Sequence, residues 1–205
     1  MFHQAFPLLT ESLAVQGWAV IPEFLPDHQA RDLAAESLSL LKQGQFRQAG
    51  IGRGDDLQLR QDIRNDHVLW LYPETESPAV QHWLGLVEQL RLALNQQLYL
   101  GLFEYEGHFA HYPAGGFYKP HLDRHRDTDQ RLVTLILYLN DGWTPDAGGQ
   151  LRLWTTPGKA TGPHQIIAPQ LGTLVCFLAG DYWHEVLPAQ QPRLSITGWL
   201  RCCPR

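Results

Sequence analysis

A chain of 205 residues is long enough for one domain with a substantial core, and a hydrophobic share of 44% is that of an ordinary globular protein. A net charge of −5 argues against general nucleic-acid binding, and no apolar run approaches the length of a membrane span. The start, Met1-Phe-His-Gln-Ala-Phe-Pro7, lacks the pattern of a secretory signal. Cys176, Cys202 and Cys203 form neither a disulfide framework nor a zinc pattern, so a cytoplasmic protein with no membrane partner is expected, with a monomer as the default state.

A short helix is expected over residues 8–16, stopped by Gly17, followed by a strand over 18–24. Pro26-Asp27 opens a second helix, with Asp27 as its N-cap and Ala30, Leu33, Ala34, Leu38 and Leu41 on one apolar face. Residues 43–66 break the pattern. Gly44, Gly50, Gly52 and Gly54 interrupt any regular element, and arginines alternate with aspartates. Two readings stand: a solvated surface loop, or a flap over a site. Ser77-Pro78 starts a third helix running to about residue 97, with Val80, Trp83, Leu84, Val87, Leu90 and Leu94 as its apolar stripe.

From residue 98 the pattern turns to short strands: 101–112, 118–124, 131–139, 150–154, 165–168, 172–178, 184–187 and 193–200. Helices first and strands afterwards predict an α+β fold with a double-stranded β-helix (jelly roll), its N-terminal helices packed on the major sheet. Residues 1–97 are read as helical support with the flap loop at 43–66, and 98–205 as the jelly-roll core, one structural domain overall.

His121-Leu-Asp123 places an imidazole and a carboxylate on one face of a strand. The motif is common and is not a metal site alone; His184 is the best third ligand. Two His and one carboxylate on one face of an ion leave the opposite positions open, which suits Fe(II) in oxygenases. Arg193 begins a strand on which Ser195, Thr197 and Trp199 share its face. An inward guanidinium asks for an anion, and a dicarboxylate co-substrate would supply one; a structural ion pair is the alternative.

With Ile63-Arg-Asn-Asp66, Trp70, Tyr112-Pro113, Tyr118-Lys-Pro-His-Leu-Asp123, Leu137-Tyr-Leu-Asn140, Gly148-Gly-Gln-Leu-Arg152, His184-Glu-Val186 and Arg193 to Trp199, the chain resembles the 2-oxoglutarate- and Fe(II)-dependent dioxygenases. More narrowly, it is similar to prolyl hydroxylases of the hypoxia-inducible-factor type and their bacterial relatives. The resemblance implies that His121, Asp123 and His184 bind Fe(II). It implies that Arg193, assisted by Tyr138, takes the distal carboxylate of 2-oxoglutarate, with Thr197 adding a hydrogen bond and Tyr112 nearby. Ile136, Leu151, Val186 and Trp199 would wall the pocket. Arg64, Asp66 and Arg131 would belong to the substrate flap, with Asp66 and Arg131 as an ion pair.

Asn65 stands where the animal enzymes have Gly. His108, His111 and His125 are read as imidazoles outside the ligand set, His125 on the rim. The implied reaction hydroxylates an exposed proline of a protein substrate, elongation factor Tu being one candidate. It consumes O2 and releases succinate and CO2, with ascorbate as a candidate auxiliary reductant. A small-molecule or free amino-acid hydroxylase, or an oxygen- or 2-oxoglutarate-responsive binding protein, are the alternatives.

Overall fold

The computed structural model describes residues 2–50, 58–124 and 130–203. Helix α1 spans Phe2–Gln16, strand β1 Trp18–Ile21, helix α2 Asp27–Lys42, β2 Arg47–Gln48, β3 His67–Trp70 and helix α3 Pro78–Leu98. The remaining strands are β4 Leu102–Tyr112, β5 Tyr118–His121, β6 Arg131–Tyr138, β7 Leu151–Trp154, β8 His164–Ile167, β9 Leu174–Leu178, β10 His184–Val186 and β11 Arg193–Cys202.

Local signals place most of these elements, with some corrections: β2, inside the stretch expected to be irregular, and β3 are strands that pair with each other and, through β3, with β4. Helix α1 begins before residue 8, because Pro7 is accommodated near its start, where it removes at most one helical hydrogen bond. Strand β1 ends at Ile21, just before Pro22. Pro26, not Asp27, is the N-cap of α2. Asp27 lies in the first turn, where it suits the helix dipole and accepts a bond from Arg31 at 3.2 Å. Ser77 does cap α3, although its side chain makes no capping bond.

All the named strands pair antiparallel, in a seven-stranded sheet of order β1-β9-β6-β11-β4-β3-β2 and a four-stranded sheet of order β5-β10-β7-β8. Side-chain alternation makes the central strands serve two cores at once. On β6, Val133, Leu135 and Leu137 join Leu9, Leu33, Trp83 and Leu90 of the helices in one buried cluster. Ile136 and Tyr138 point the other way, into a second cluster that includes Leu151, Leu153 and Val186 of the smaller sheet. The same parity on β11 sends Leu194, Ile196 and Leu200 to the helix side. Arg193, Ser195, Thr197 and Trp199 are thereby left on the face between the sheets, where the polar residues gather. Among the described residues no helix is long and apolar enough to cross a membrane.

Candidate metal centre

β5 ends on His121 and β10 begins on His184, and the ladder between them sets these two residues opposite each other. Their rings lie 4.2 Å apart between centroids. Asp123 follows two residues after His121, so the turn out of β5 brings its carboxylate across the gap. Oδ1 is 3.5 Å from Nε2 of His121 and Oδ2 is 3.6 Å from Nε2 of His184. One potential ligand atom from each of the three residues lies within 4.8 Å of the others.

The hydrogen bonds around the triad prepare it for a cation. Nδ1 of His121 faces the Lys119 carbonyl at 2.8 Å, and Nδ1 of His184 faces the Tyr182 carbonyl at 3.2 Å. A carbonyl only accepts, so Nδ1 carries the proton in both rings and each Nε2 offers its lone pair to the centre. Thr134 donates its hydroxyl to Oδ2 of Asp123 at 2.7 Å. Burial alone would raise the Asp123 pKa, but the flanking His184 and His121 and the Thr134 hydroxyl hold it well below the usual carboxylate range. Burial pushes the His184 pKa down to about 4, so the ring is neutral near pH 7. Two imidazole nitrogens and one carboxylate form a donor set that fits Fe(II).

Arg193 is 1% exposed, yet among the described residues no carboxylate lies within ion-pair distance of it. Its Nε donates to the Gly149 carbonyl at 2.9 Å and Nη1 to Ser195 Oγ at 3.4 Å. The guanidinium lies 5.0 Å from the Tyr112 ring centre and 5.1 Å from that of Tyr138, whose buried hydroxyl neighbours the same arginine. Gly149, at φ +65°, leaves space for this arginine: a Cβ there would come within 3.2 Å of Arg193 Cδ. Asn140 pins the start of β11 by accepting from Leu194 N at 2.6 Å and donating to Leu194 O at 2.9 Å. These contacts give Gly149 of the Gly-Gly pair and Asn140 of Tyr-Leu-Asn their structural roles in this chain.

A cavity of about 650 Å³ joins the triad to Arg193. Tyr112, Ile136, Leu151, Val186, Thr197 and Trp199 all line it, and Tyr138 is fully buried beside Arg193. Arg64 lines it as well and grips Asp66 through two bonds of 2.7 and 2.6 Å. The expected Asp66–Arg131 pair is therefore not formed. Arg131 donates to Glu106 at 2.6 Å and lies 3.4 Å over the Trp199 ring. Arg64 is two residues from Asp66 and takes both its oxygens, while Glu106 meets Arg131 across β4, β11 and β6.

Asn65, which replaces the expected Gly, accepts from the Phe117 backbone N at 2.9 Å. Several further residues outside the expected site set line the cavity, Tyr118 and His108 among them. Tyr118 stacks on His121, and His108 packs between Trp70 and Trp199, with centroid distances of 5.0 and 5.6 Å. Strand parity could have found His108, which is on the same face of β4 as Tyr112; His111 has the opposite parity. His125 and the flap residues 51–57 fall outside the described residues.

Comparison with known proteins agrees with this chemistry. The sequence profile of the 2OG-Fe(II) oxygenase superfamily matches residues 107–201. The chain is 28% identical to the hypoxia-inducible factor prolyl hydroxylase of Caenorhabditis elegans, over 96% of this chain and 29% of that protein. It is 30% identical to human Egl nine homolog 1, over 89% and 43%. It thus spans less than half the length of these curated relatives. Among solved structures, a Pseudomonas putida prolyl-4-hydroxylase superposes with a TM-score of 0.87 at 43% identity, covering 96% of this chain and 98% of that one. A Trichoplax adhaerens prolyl hydroxylase, solved with a hypoxia-inducible factor peptide, gives 0.84 at 26% identity, covering 97% and 89%.

Proposed function

The chain belongs to the 2OG-Fe(II) oxygenase superfamily, and from that premise we propose that it hydroxylates a prolyl residue of a protein substrate. In the overall reaction O2 and 2-oxoglutarate are consumed; one oxygen atom enters the prolyl C–H bond and the other enters succinate, with CO2 released. The observation that carries the reading is Arg193, a buried cation in the wall of the triad's cavity with no carboxylate beside it among the described residues.

His121, Asp123 and His184 would hold Fe(II), which when bound supplies oxygen activation at its open face. The rest is positioning. The Arg193 fork would take the distal carboxylate of 2-oxoglutarate, assisted by the hydroxyl of Tyr138 buried beside it. Thr197 and Tyr112, which line the same cavity, would orient the co-substrate. Ile136, Leu151, Val186 and Trp199 exclude water from it. Arg64 and Arg131 stand where the substrate segment enters. No side chain is required as a general acid or base.

This reading treats residues 98–205 as the jelly-roll core and 1–97 as its helical support, with the flap at 43–66. A mobile segment with an exposed proline is the proposed target, elongation factor Tu being one candidate. A cytoplasmic setting accords with three free cysteines.

The test is an anaerobic titration with Fe(II) and 2-oxoglutarate, following the visible charge-transfer band, with Arg193→Ala and His184→Ala as controls. A band in the wild type, lost in both variants, supports the site. Mass spectrometry of a proline-containing protein after aerobic turnover should then show the gain of one oxygen. Oxidation of free proline alone would exclude the protein-substrate reading and favour a free amino-acid hydroxylase.

A further inference from the structure

We propose that the buried Asp66–Arg64 pair positions the metal ligand His121 through Tyr118, so that the segment carrying Arg64 and the metal centre behave as one mechanical unit. The inference rests on the metal and co-substrate reading above.

His121 is the least enclosed of the three ligands: its side chain is 16% exposed, against 8% for Asp123 and 4% for His184. A single Nδ1 bond to the Lys119 carbonyl fixes its tautomer but leaves rotation of the ring weakly restrained. The Tyr118 ring removes that freedom, stacking on the imidazole at 3.6 Å with an angle of 15° between the planes.

Tyr118 is itself held from the flap side. The Arg64 guanidinium lies over its ring, 4.3 Å from the centre, and is locked by both oxygens of Asp66, which is 0% exposed. The backbone repeats the link. Arg64 and Tyr118 form an antiparallel bridge, Lys119 N donates to Ile63 O at 2.9 Å, and Phe117 N donates to Asn65 Oδ1 at 2.9 Å. On the other side, Ala49 N donates to Asp66 O at 2.9 Å, tying in the residue that follows β2. Residues 63–66 therefore lie as an added rung beside the strand that ends on His121. Any displacement of Arg64, by substrate or by substitution, is transmitted to that ring through packed groups. Arg64, Asp66 and Tyr118 are thus positioning residues for the metal as well as parts of the cavity's entrance.

The experiment compares wild type, Tyr118→Leu, Tyr118→Phe and Arg64→Lys, with circular dichroism to confirm folding. The readouts are Fe(II) affinity and the position of the anaerobic Fe(II)–2-oxoglutarate absorption band. Loss of an outer support of a metal ligand predicts about tenfold weaker Fe(II) binding and a displaced band in Tyr118→Leu, with recovery in Tyr118→Phe, which keeps the stacked ring. Arg64→Lys retains the charge but loses the two-pronged grip on Asp66, and should move both readouts the same way by less. Unchanged affinity and band in a folded Tyr118→Leu overturns the proposal. Should that variant not fold, an unchanged Arg64→Lys overturns it. A wild-type band without any protein oxidation would refute only the substrate reading, whereas no wild-type band would refute both.

Discussion

A charge removed from water loses solvation that only an anionic partner restores, so Arg193 is costly until something binds. Arg193→Met should therefore leave the ligand-free protein nearly as stable as wild type. It should weaken 2-oxoglutarate by about 10- to 100-fold, the worth of a charge-assisted pair of about 1.5–3 kcal/mol. Melting curves with and without co-substrate check both halves. Thr134→Val keeps the shape of its side chain but removes the hydroxyl bonded to Asp123 Oδ2. Metal affinity should fall about tenfold in a chelator competition, with the fold intact.

His108 makes a pH prediction. Burial, and then the nearby Arg64, push its pKa from the ordinary 6.5 down to about 3. Between those values the unfolded chain binds a proton that the folded protein refuses, so stability falls as pH drops through this window. From pH 7 to pH 5 the loss is about 2 kcal/mol, and His108→Gln should flatten that part of the stability–pH curve in denaturant titrations.

At the scale of elements, α3 is the helix most legible along the chain. Its start rests on Ser77-Pro78 and its buried face on Val80, Trp83, Val87, Leu90 and Leu94, all local features. Trp83 is 1% exposed and packs in the cluster beneath the larger sheet. Trp83→Ala should cost about 3–5 kcal/mol in chemical unfolding, while a change at exposed Leu92 should cost little. Strand β1 and the strands from β4 onward were similarly legible, since alternation on β11 already put Arg193, Ser195, Thr197 and Trp199 on one face, whereas β2 and β3 carry no such signal. Asp66 was misassigned because the choice between Arg64 and Arg131 depends on how β3 lies against β4 and β6. The bond from the Phe117 amide to Asn65 Oδ1 is likewise invisible along the chain, because the two residues are distant in sequence.

On the scale of the whole molecule, the site exists only where the two sheets face each other. The larger sheet contributes Arg193, Thr134 and Tyr112, and the smaller brings His121 and His184 into register. Ligands that join these parts should stabilise them together by mass action. A divalent metal with 2-oxoglutarate at about 100 times its dissociation constant should add about 2.7 kcal/mol, and chelation should remove most of the gain. Thermal melts in the presence and absence of chelator measure this.

Periodicity, turn chemistry and ligand spacing are properties of neighbouring residues. The helices, β1 and the strands from β4 onward, the His121-Leu-Asp123 pair and the inward face of Arg193 could therefore be read from the chain. Partner choice is different in kind. The pairing of Arg131 with Glu106, the stack of Tyr118 on His121, the burial of His108 between two tryptophans and the support of Arg193 by Gly149 all join segments whose distance is set by sheet order and register. No local pattern records that distance, because it results from packing many elements at once, and it appears only when the sheets are assembled.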